Sequence, residues 1–172
     1  MRNTGPGGRF TTEYEHSSIL GGIDTDLQLH VGQNLLWYRF DHQRTFDPVY
    51  GTVDDVYDVG GRQYMDPIEI PTVSAVIVQG MTVQNERGFY NSDTLRATLN
   101  IQDVDAQLQD SLSESLNAYL LDRIVYRDEV FTITKLYPRG LVKDKYTLLT
   151  LDANQVNPEQ LVNDPQFQQY AS

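Results

Sequence analysis

Alternation of apolar and polar residues over eight positions is the strongest constraint on how this chain folds. Residues 94–101 read Thr-Leu-Arg-Ala-Thr-Leu-Asn-Ile, with an apolar side chain at every second position. Successive residues of a β-strand point to opposite faces, so this pattern gives one dry face and one wet face. The stretch therefore predicts a half-buried β-strand.

Five further segments have the composition of strands, and these are residues 35–40, 73–83, 124–126, 130–136 and 146–151. The segment 73–83 is β-branched and nearly continuous, which favours a strand that is buried on both faces or shared by two sheets. Residues 137–140, Tyr-Pro-Arg-Gly, predict a turn, because proline presets φ and glycine accepts positive φ. We therefore expect the last two long strands to form a hairpin with residues 141–144 at its tip. Six short strands joined by turns predict a mainly β protein, built as a small β-barrel or sandwich.

One helix is predicted beside this barrel. Leucines recur every four residues over residues 105–121, which is typical of an amphipathic helix packed on a core. Asp103 or Asp105 is placed to cap its start.

The two ends of the chain are predicted to be extensions of one domain, residues 23–154. Residues 1–22 are polar and rich in glycine, which indicates a flexible N-terminal arm. Its few bulky side chains could be buried on a neighbouring subunit: Phe10, Tyr14, Ile19 and Leu20. In the C-terminal tail, residues 155–172, the pairs Asn157-Pro158 and Asp164-Pro165 each predict a short helical turn.

A long acidic segment rich in tyrosine interrupts the domain at residues 43–71. Within it the phrase Asp-x-Val-Tyr occurs twice, at residues 47–50 and 54–57. Connections of this length are usually functional or disordered. The tyrosines argue against simple disorder, because disordered segments are usually poor in aromatic residues. We expect the segment to order against a partner.

Composition excludes several functions. Thirteen Lys and Arg residues against 24 Asp and Glu residues give a net charge of −11, which opposes tight binding of nucleic acid. The absence of cysteine excludes disulfides and thiolate chemistry. The sequence has neither an apolar run of membrane-spanning length nor the pattern of a signal peptide, so we expect a soluble protein made without export.

Catalytic patterns are weak. The three histidines, His16, His30 and His42, lack the spacing of helical metal ligands, and no phosphate-binding or nucleophile-elbow motif occurs. We therefore predict no enzyme, no cofactor and no metal site. Two alternatives stay open: a loose calcium site formed by Asp54, Asp55 and Asp58, and a metal-dependent hydrolase or nuclease that uses the same carboxylates.

Several short motifs resemble the head-to-tail connector proteins of long-tailed bacteriophages, specifically the stopper type. They lie between about residues 34 and 152: Trp37-Tyr38-Arg39-Phe40, Val53-Asp54-Asp55-Val56-Tyr57-Asp58, residues 61–67, Ile70-Pro71, residues 122–131 and residues 137–140. The resemblance implies a small β-barrel that joins a cyclic ring of six or twelve copies in the virion neck, after synthesis in the host cytoplasm. Such a ring lies below the portal and adaptor, closes the DNA channel and docks the tail-terminator or tail proteins. Genomic DNA would pass or be held without sequence-specific binding, and no membrane is involved.

The same resemblance makes the acidic segment the candidate for contacts between protomers or with the channel. Its candidate residues are Tyr50, Asp54, Asp55, Tyr57, Asp58, Arg62 and Tyr64. Three basic residues at the predicted hairpin tip, Arg139, Lys143 and Lys145, are either solvated or meet acidic groups of a neighbouring protomer. A tail terminator or a baseplate subunit is the alternative function.

Overall fold

The computed structural model describes most of the chain, in several ranges. These are residues 12–24, 33–41, 62–80, 82–85, 88–108, 116–142, 145–157, 160–161, 164 and 166–170. All structural statements below concern these residues.

A closed barrel of six antiparallel strands confirms the mainly β fold. The strands are β1 (Asn34–Tyr38), β2 (Ile68–Val78), β5 (Thr94–Asn100), β6 (Arg123–Tyr126), β7 (Glu129–Val142) and β8 (Lys145–Gln155). Their order around the barrel is β1-β2-β5-β8-β7-β6, and β6 pairs with β1 to close it. Between β2 and β5, a separate two-stranded ribbon is formed by β3 (Thr82–Asn85) and β4 (Gly88–Asn91).

The interior of the barrel is filled by the alternating apolar residues that the sequence indicates. In β5, Leu95, Ala97 and Leu99 are fully buried, whereas Arg96 points outward and is exposed. Trp37 lies at the centre of the core, where its indole Nε1 donates to the Asp122 carboxylate at 2.7 Å. This bond satisfies the one polar group of the largest core side chain.

A second apolar cluster lies outside the barrel, on β1, β6 and the start of β7. The C-terminal tail covers this surface with Val156, Leu161 and Phe167, which pack with Tyr38 and Tyr64. Within the described part of the tail, helical residues follow both predicted capping positions. Residues 160–161 are helical, and a 3₁₀ turn spans Gln168–Tyr170.

The predicted helix over residues 105–121 is wrong in its start, and its last described turn is not α-helical. The helix α2 spans Ile101–Leu108, a 3₁₀ turn spans Leu116–Tyr119, and residues 109–115 lie outside the described residues. The cap is Asn100, whose Oδ1 accepts from the Gln102 amide at 3.0 Å. Because this cap is the last residue of β5, the helix begins four residues before the predicted start.

The prediction that residues 73–83 form one strand, buried on both faces or shared by two sheets, is also wrong. β2 ends at Val78, and its outer face is open, with Val76 56% and Val78 51% exposed. β-branched residues favour any half-buried pleated surface, so their composition did not distinguish an open face from a covered one.

The predicted turn at residues 137–140 lies inside a strand. β7 continues to Val142, and Pro138 and Arg139 are opposite Leu149 and Leu148 of β8. Proline is tolerated there because β6 pairs with β7 only up to Thr132, so this part of β7 is an edge. The hairpin tip itself, residues 143–144, lies outside the described residues.

Part of the arm predicted to be flexible is a helix, α1 (Thr12–Gly22), packed near β7 and β8. Its buried residues include His16 and Leu20, while Tyr14 and Ile19 are exposed. No helix in the described ranges is long and apolar enough to cross a membrane.

Candidate interaction surfaces

The structure places only some of the predicted contact residues. Arg62, Tyr64, Arg139 and Lys145 are described, whereas Tyr50, Asp54, Asp55, Tyr57, Asp58 and Lys143 lie outside the described residues. The described four fall on two separate surfaces. Arg62 and Tyr64 lie where the acidic segment rejoins the barrel, and Arg139 and Lys145 lie near the end of the β7–β8 hairpin.

The acidic segment leaves and rejoins the barrel at one closed base. Phe40 and Tyr64 form an antiparallel bridge. On either side of it the Asp41 amide donates to the Gln63 carbonyl at 2.9 Å, and the Met65 amide donates to the Arg39 carbonyl at 2.8 Å. The two ends of residues 42–61 are therefore held side by side.

Tyr64 was predicted to lie in a contact loop, but its ring is buried within its own chain, with 4% of the residue exposed. It meets Phe40 and Phe167 edge-on, at ring-centroid distances of 5.6 and 5.2 Å. Burial raises the pKa of its hydroxyl above the ordinary value. Tyr64 therefore anchors the acidic segment to the barrel.

A buried ion pair lies directly against this ring. The Nη1 of Arg123 contacts the Asp164 carboxylate, and the guanidinium lies over the rings of Tyr64 and Phe167, at 5.0 and 4.8 Å from their centroids. Arg123 Nε and Nη2 have no hydrogen-bond partner in the described part of the chain. The sequence indicates Asp164 only as the cap of a helical turn and gives no sign that it pairs with Arg123, the first residue of β6.

The tail is tied to the same base by backbone and side-chain contacts. Gln166 accepts from the Tyr64 amide at 2.9 Å and donates to the Tyr64 carbonyl at 2.8 Å. Tyr38 packs on Phe167 at 4.8 Å between ring centroids. Burial, with the nearby Tyr170 hydroxyl as a smaller cause, raises the pKa of Tyr38 to about 12. One C-terminal segment thus locks both β1 and the base of the acidic segment.

The second surface is the end of the β7–β8 hairpin. The Arg139 guanidinium lies 4.8 Å from the Tyr137 ring centroid and donates to the Tyr137 hydroxyl at 3.2 Å. Beyond it, Leu141 and Tyr146 are cross-strand partners and both are exposed, and Lys145 is exposed beside them. The surface is therefore apolar at its centre and basic at its margin.

The helix α1 braces this hairpin end. A ring nitrogen of His16, Nε2, lies 3.2 Å from the carbonyl oxygen of Tyr146. The hairpin is also shaped by Gly140, whose φ of +67° suits glycine, and the Thr147 hydroxyl donates to the Gly140 carbonyl at 2.9 Å. These contacts fix the position of the exposed pair Leu141 and Tyr146.

A metal centre is not found among the residues whose placement is described, because no three His, Asp or Glu side chains converge there. The carboxylates of the calcium alternative, Asp54, Asp55 and Asp58, lie outside those residues. The hairpin end offers exposed apolar area and positive charge, which suits it to binding another macromolecule.

No family model and no curated protein matches this chain. Among solved structures, a chain from the virion of a native gene transfer agent particle is similar to it, with a TM-score of 0.43 and 15% sequence identity. The match covers 72% of this chain and 94% of that chain. At this level of similarity the match adds no argument about function.

Proposed function

We propose that this chain is a structural protein of a phage-like virion, and that it forms a ring at the junction of head and tail. More specifically, the ring is a stopper that lies below the portal and adaptor. It closes the DNA channel and docks the tail. The motifs at residues 34–152 that resemble stopper proteins and the small closed barrel support this assignment together.

The observation that carries the proposal is the hairpin end, where exposed Leu141 and Tyr146 are bordered by Arg139 and Lys145. An exposed apolar patch with a polar rim is typical of an interaction surface. Its basic rim belongs to a chain with a net charge of −11. Opposite charges on two surfaces steer and align an interface, so the basic rim of one copy meets the acidic segment of the next.

The acidic balance also fits a channel. A protein that grips DNA gains affinity by neutralising phosphates with Lys and Arg. A wall with excess carboxylate repels phosphate instead, so the duplex slides past it. We assign the acidic segment to the channel or to the neighbouring protomer. This segment joins the barrel at the bridge between Phe40 and Tyr64.

Antibody labelling of virions, viewed by electron microscopy, tests the location. Label at the junction of head and tail is the expected result. Label at the tail tip would assign the chain to the baseplate. Absence of the chain from purified virions by mass spectrometry would overturn the proposal and return attention to an enzyme.

The basic rim is tested separately by neutralising it. The double variant Arg139→Gln/Lys145→Gln is expected to enter particles less well than the wild type, while its thermal stability changes little because both side chains are exposed. Gln102→Glu/Gln107→Glu is a matched control, since it shifts the net charge equally on exposed positions of α2. Equal incorporation of both variants would show that the rim makes no contact in the particle.

A further inference from the structure

The backbone of Tyr64 is paired on its outer side by a glutamine side chain. In the bridge between Phe40 and Tyr64 the flanking residues make the hydrogen bonds, so the amide and carbonyl of Tyr64 point away from Phe40. Gln166 meets both groups, accepting from the amide at 2.9 Å and donating to the carbonyl at 2.8 Å. A neighbouring strand would make the same two bonds. Gln166 therefore takes the place of a third strand at the base of the acidic segment.

The side chain of Tyr64 depends on the C-terminal tail in the same way. Of its two ring contacts, one is with Phe40 and the other is with Phe167 of the tail. The Arg123 guanidinium lies over the rings of Tyr64 and Phe167, and its counter-ion is Asp164 of the tail. The closed base of the acidic segment is thus completed by three side chains of the C-terminal tail.

The C-terminal tail can separate from the barrel without breaking the strand ladder. The barrel strands end at Gln155, and the Val156 amide donates to the Val130 carbonyl at 2.9 Å. In the described part of the tail from Asn157 onward, each backbone hydrogen bond joins two residues of the tail. Beyond Val156 the described contacts with the barrel are therefore made by side chains.

The polar contacts that hold the C-terminal tail carry a cost. The ion pair between Arg123 and Asp164 is buried, and Arg123 Nε and Nη2 have no hydrogen-bond partner within the described residues. Burial of two charges without full hydrogen bonding costs solvation that their attraction returns only in part. Gln166 is exposed, so water competes for its two bonds. Departure of the tail would return both charges to water, which lowers the free energy needed to release it.

We propose that the C-terminal tail is a releasable strap, and that its departure opens the base of the acidic segment. Without the tail, the base keeps two backbone hydrogen bonds, from the amides of Asp41 and Met65, and the ring contact of Tyr64 with Phe40. Two short paired segments are marginal in water without a third strand. The inference rests on the proposed function and adds its regulation. A partner that draws the tail away frees the segment that we assign to the channel or to the neighbouring protomer.

Amide hydrogen exchange, resolved by residue in the purified chain, tests this coupling. The amides of Asp41 and Met65 are decisive, because they donate to barrel-side and loop-side carbonyls and not to the C-terminal tail. The amide of Tyr64 reports release of the tail itself, since its partner is Gln166. A tail that lifts alone would speed exchange at Tyr64 only, whereas an opened base speeds exchange at all three.

Asp164→Lys is the variant that releases the C-terminal tail, because it places a like charge against Arg123. Exchange at Asp41 and Met65 is expected to rise by about tenfold or more, since each lost hydrogen bond contributes about 1 kcal/mol. The amides of β5 and β8 should keep their protection. Glu13→Lys is the control, because it makes the same change of charge at an exposed position of α1.

Unchanged exchange at Asp41 and Met65 in Asp164→Lys would overturn the proposal. Loss of protection throughout β5 and β8 would also overturn it, because the C-terminal tail would then not separate from the barrel.

Gln166→Glu is a milder variant that leaves the ion pair in place. Its carboxylate can still accept from the Tyr64 amide, but it cannot donate to the Tyr64 carbonyl and repels that oxygen. Exchange at Asp41 and Met65 is expected to be faster than in Gln169→Glu, which makes the same change at an exposed position of the same tail. Equal exchange in the two variants would overturn the proposal.

The exchange experiments and the antibody labelling fail separately. Exchange is measured on the isolated chain, whereas labelling is measured on the particle. A base that stays closed would overturn the strap and leave the virion assignment intact, and label away from the junction would do the reverse.

Discussion

Arg123 and Asp164 form an ion pair that is almost completely shielded from solvent. The Arg123 side chain is 1% exposed and the Asp164 side chain is 5% exposed. One residue belongs to β6 and the other to the C-terminal tail, so the pair joins the barrel to the segment that covers its outer surface. The rings of Tyr64 and Phe167 enclose the guanidinium.

Arg123→Met is expected to lower the free energy of unfolding by about 3–5 kcal/mol, because it leaves the Asp164 carboxylate buried without its partner. The double variant Arg123→Met/Asp164→Leu should recover most of this loss, since replacing both charges by apolar groups is often neutral. Urea unfolding followed by fluorescence of Trp37, the only tryptophan and fully buried, measures both. Equal losses in the single and double variants would mean that packing, and not the unpaired charge, sets the effect.

Tyr64→Ala is expected to destabilise the monomer by about 3–5 kcal/mol, as is usual when a large buried aromatic ring is removed. The acidic segment would then be released at its base, because the ring contacts to Phe40 and Phe167 are lost. The same urea experiment measures it, with Tyr64→Phe as the control that keeps the ring. A stable Tyr64→Ala monomer that fails only in assembly would restore the sequence-based expectation of an interface residue.

Glu129 makes stability depend on pH. Burial, aided by the charge of Asp93, raises the pKa of its carboxyl above the ordinary 4.5, and its Oε2 has no hydrogen-bond partner among the described residues. A raised pKa contributes stability that is complete below 4.5 and is lost as pH rises through the folded-state value. Glu129→Gln should therefore raise the melting temperature at pH 7 and change it little at pH 4.

Asp66→Asn serves as the control for this pH experiment, because Asp66 is an exposed carboxyl elsewhere on the surface. Asp66→Asn should not show the gain in melting temperature at pH 7 over pH 4 that is expected of Glu129→Gln. A Glu129→Gln variant whose advantage is the same at pH 4 and pH 7 would exclude the carboxyl as the cause.

Two glycine-to-alanine changes are expected to differ in their effect on stability. Gly140→Ala should destabilise by about 1–2 kcal/mol or more, because its φ is +67° and the new methyl group would overlap the Thr147 hydroxyl. Gly22→Ala lies at the end of α1 with open space around it, and should be neutral or stabilise by up to about 1 kcal/mol. Thermal melting of both variants measures the difference. If both variants lose stability, the change in α1 also disturbs the hairpin end, which α1 contacts.

The fold could largely be predicted because period-two alternation identifies strands directly. Residues 94–101 predicted β5 to within one residue, since one face packs in the core and the other does not. Boundaries failed where tertiary context decided the outcome. Pro138 and Gly140 have turn chemistry, yet they lie in an edge strand that needs no partner on its other side.

The surfaces could be predicted less well, because they depend on residues far apart in the chain. Arg139 and Lys145 followed from a predicted hairpin, and the structure places both near its end. Nothing local to Arg123 indicates that Asp164 reaches it, and nothing in the composition of residues 46–71 shows that Tyr64 belongs to the core. Such pairings are fixed only when the tail folds back over β6.

The closed base between Phe40 and Tyr64 has a consequence for the length of the acidic segment. Once the two ends of a loop are held together, doubling its length adds only about 0.6 kcal/mol of closure entropy. Residues 42–61 can therefore gain or lose residues while the barrel keeps its stability. An insertion or deletion here changes the reach of the segment while the residues of the core stay the same.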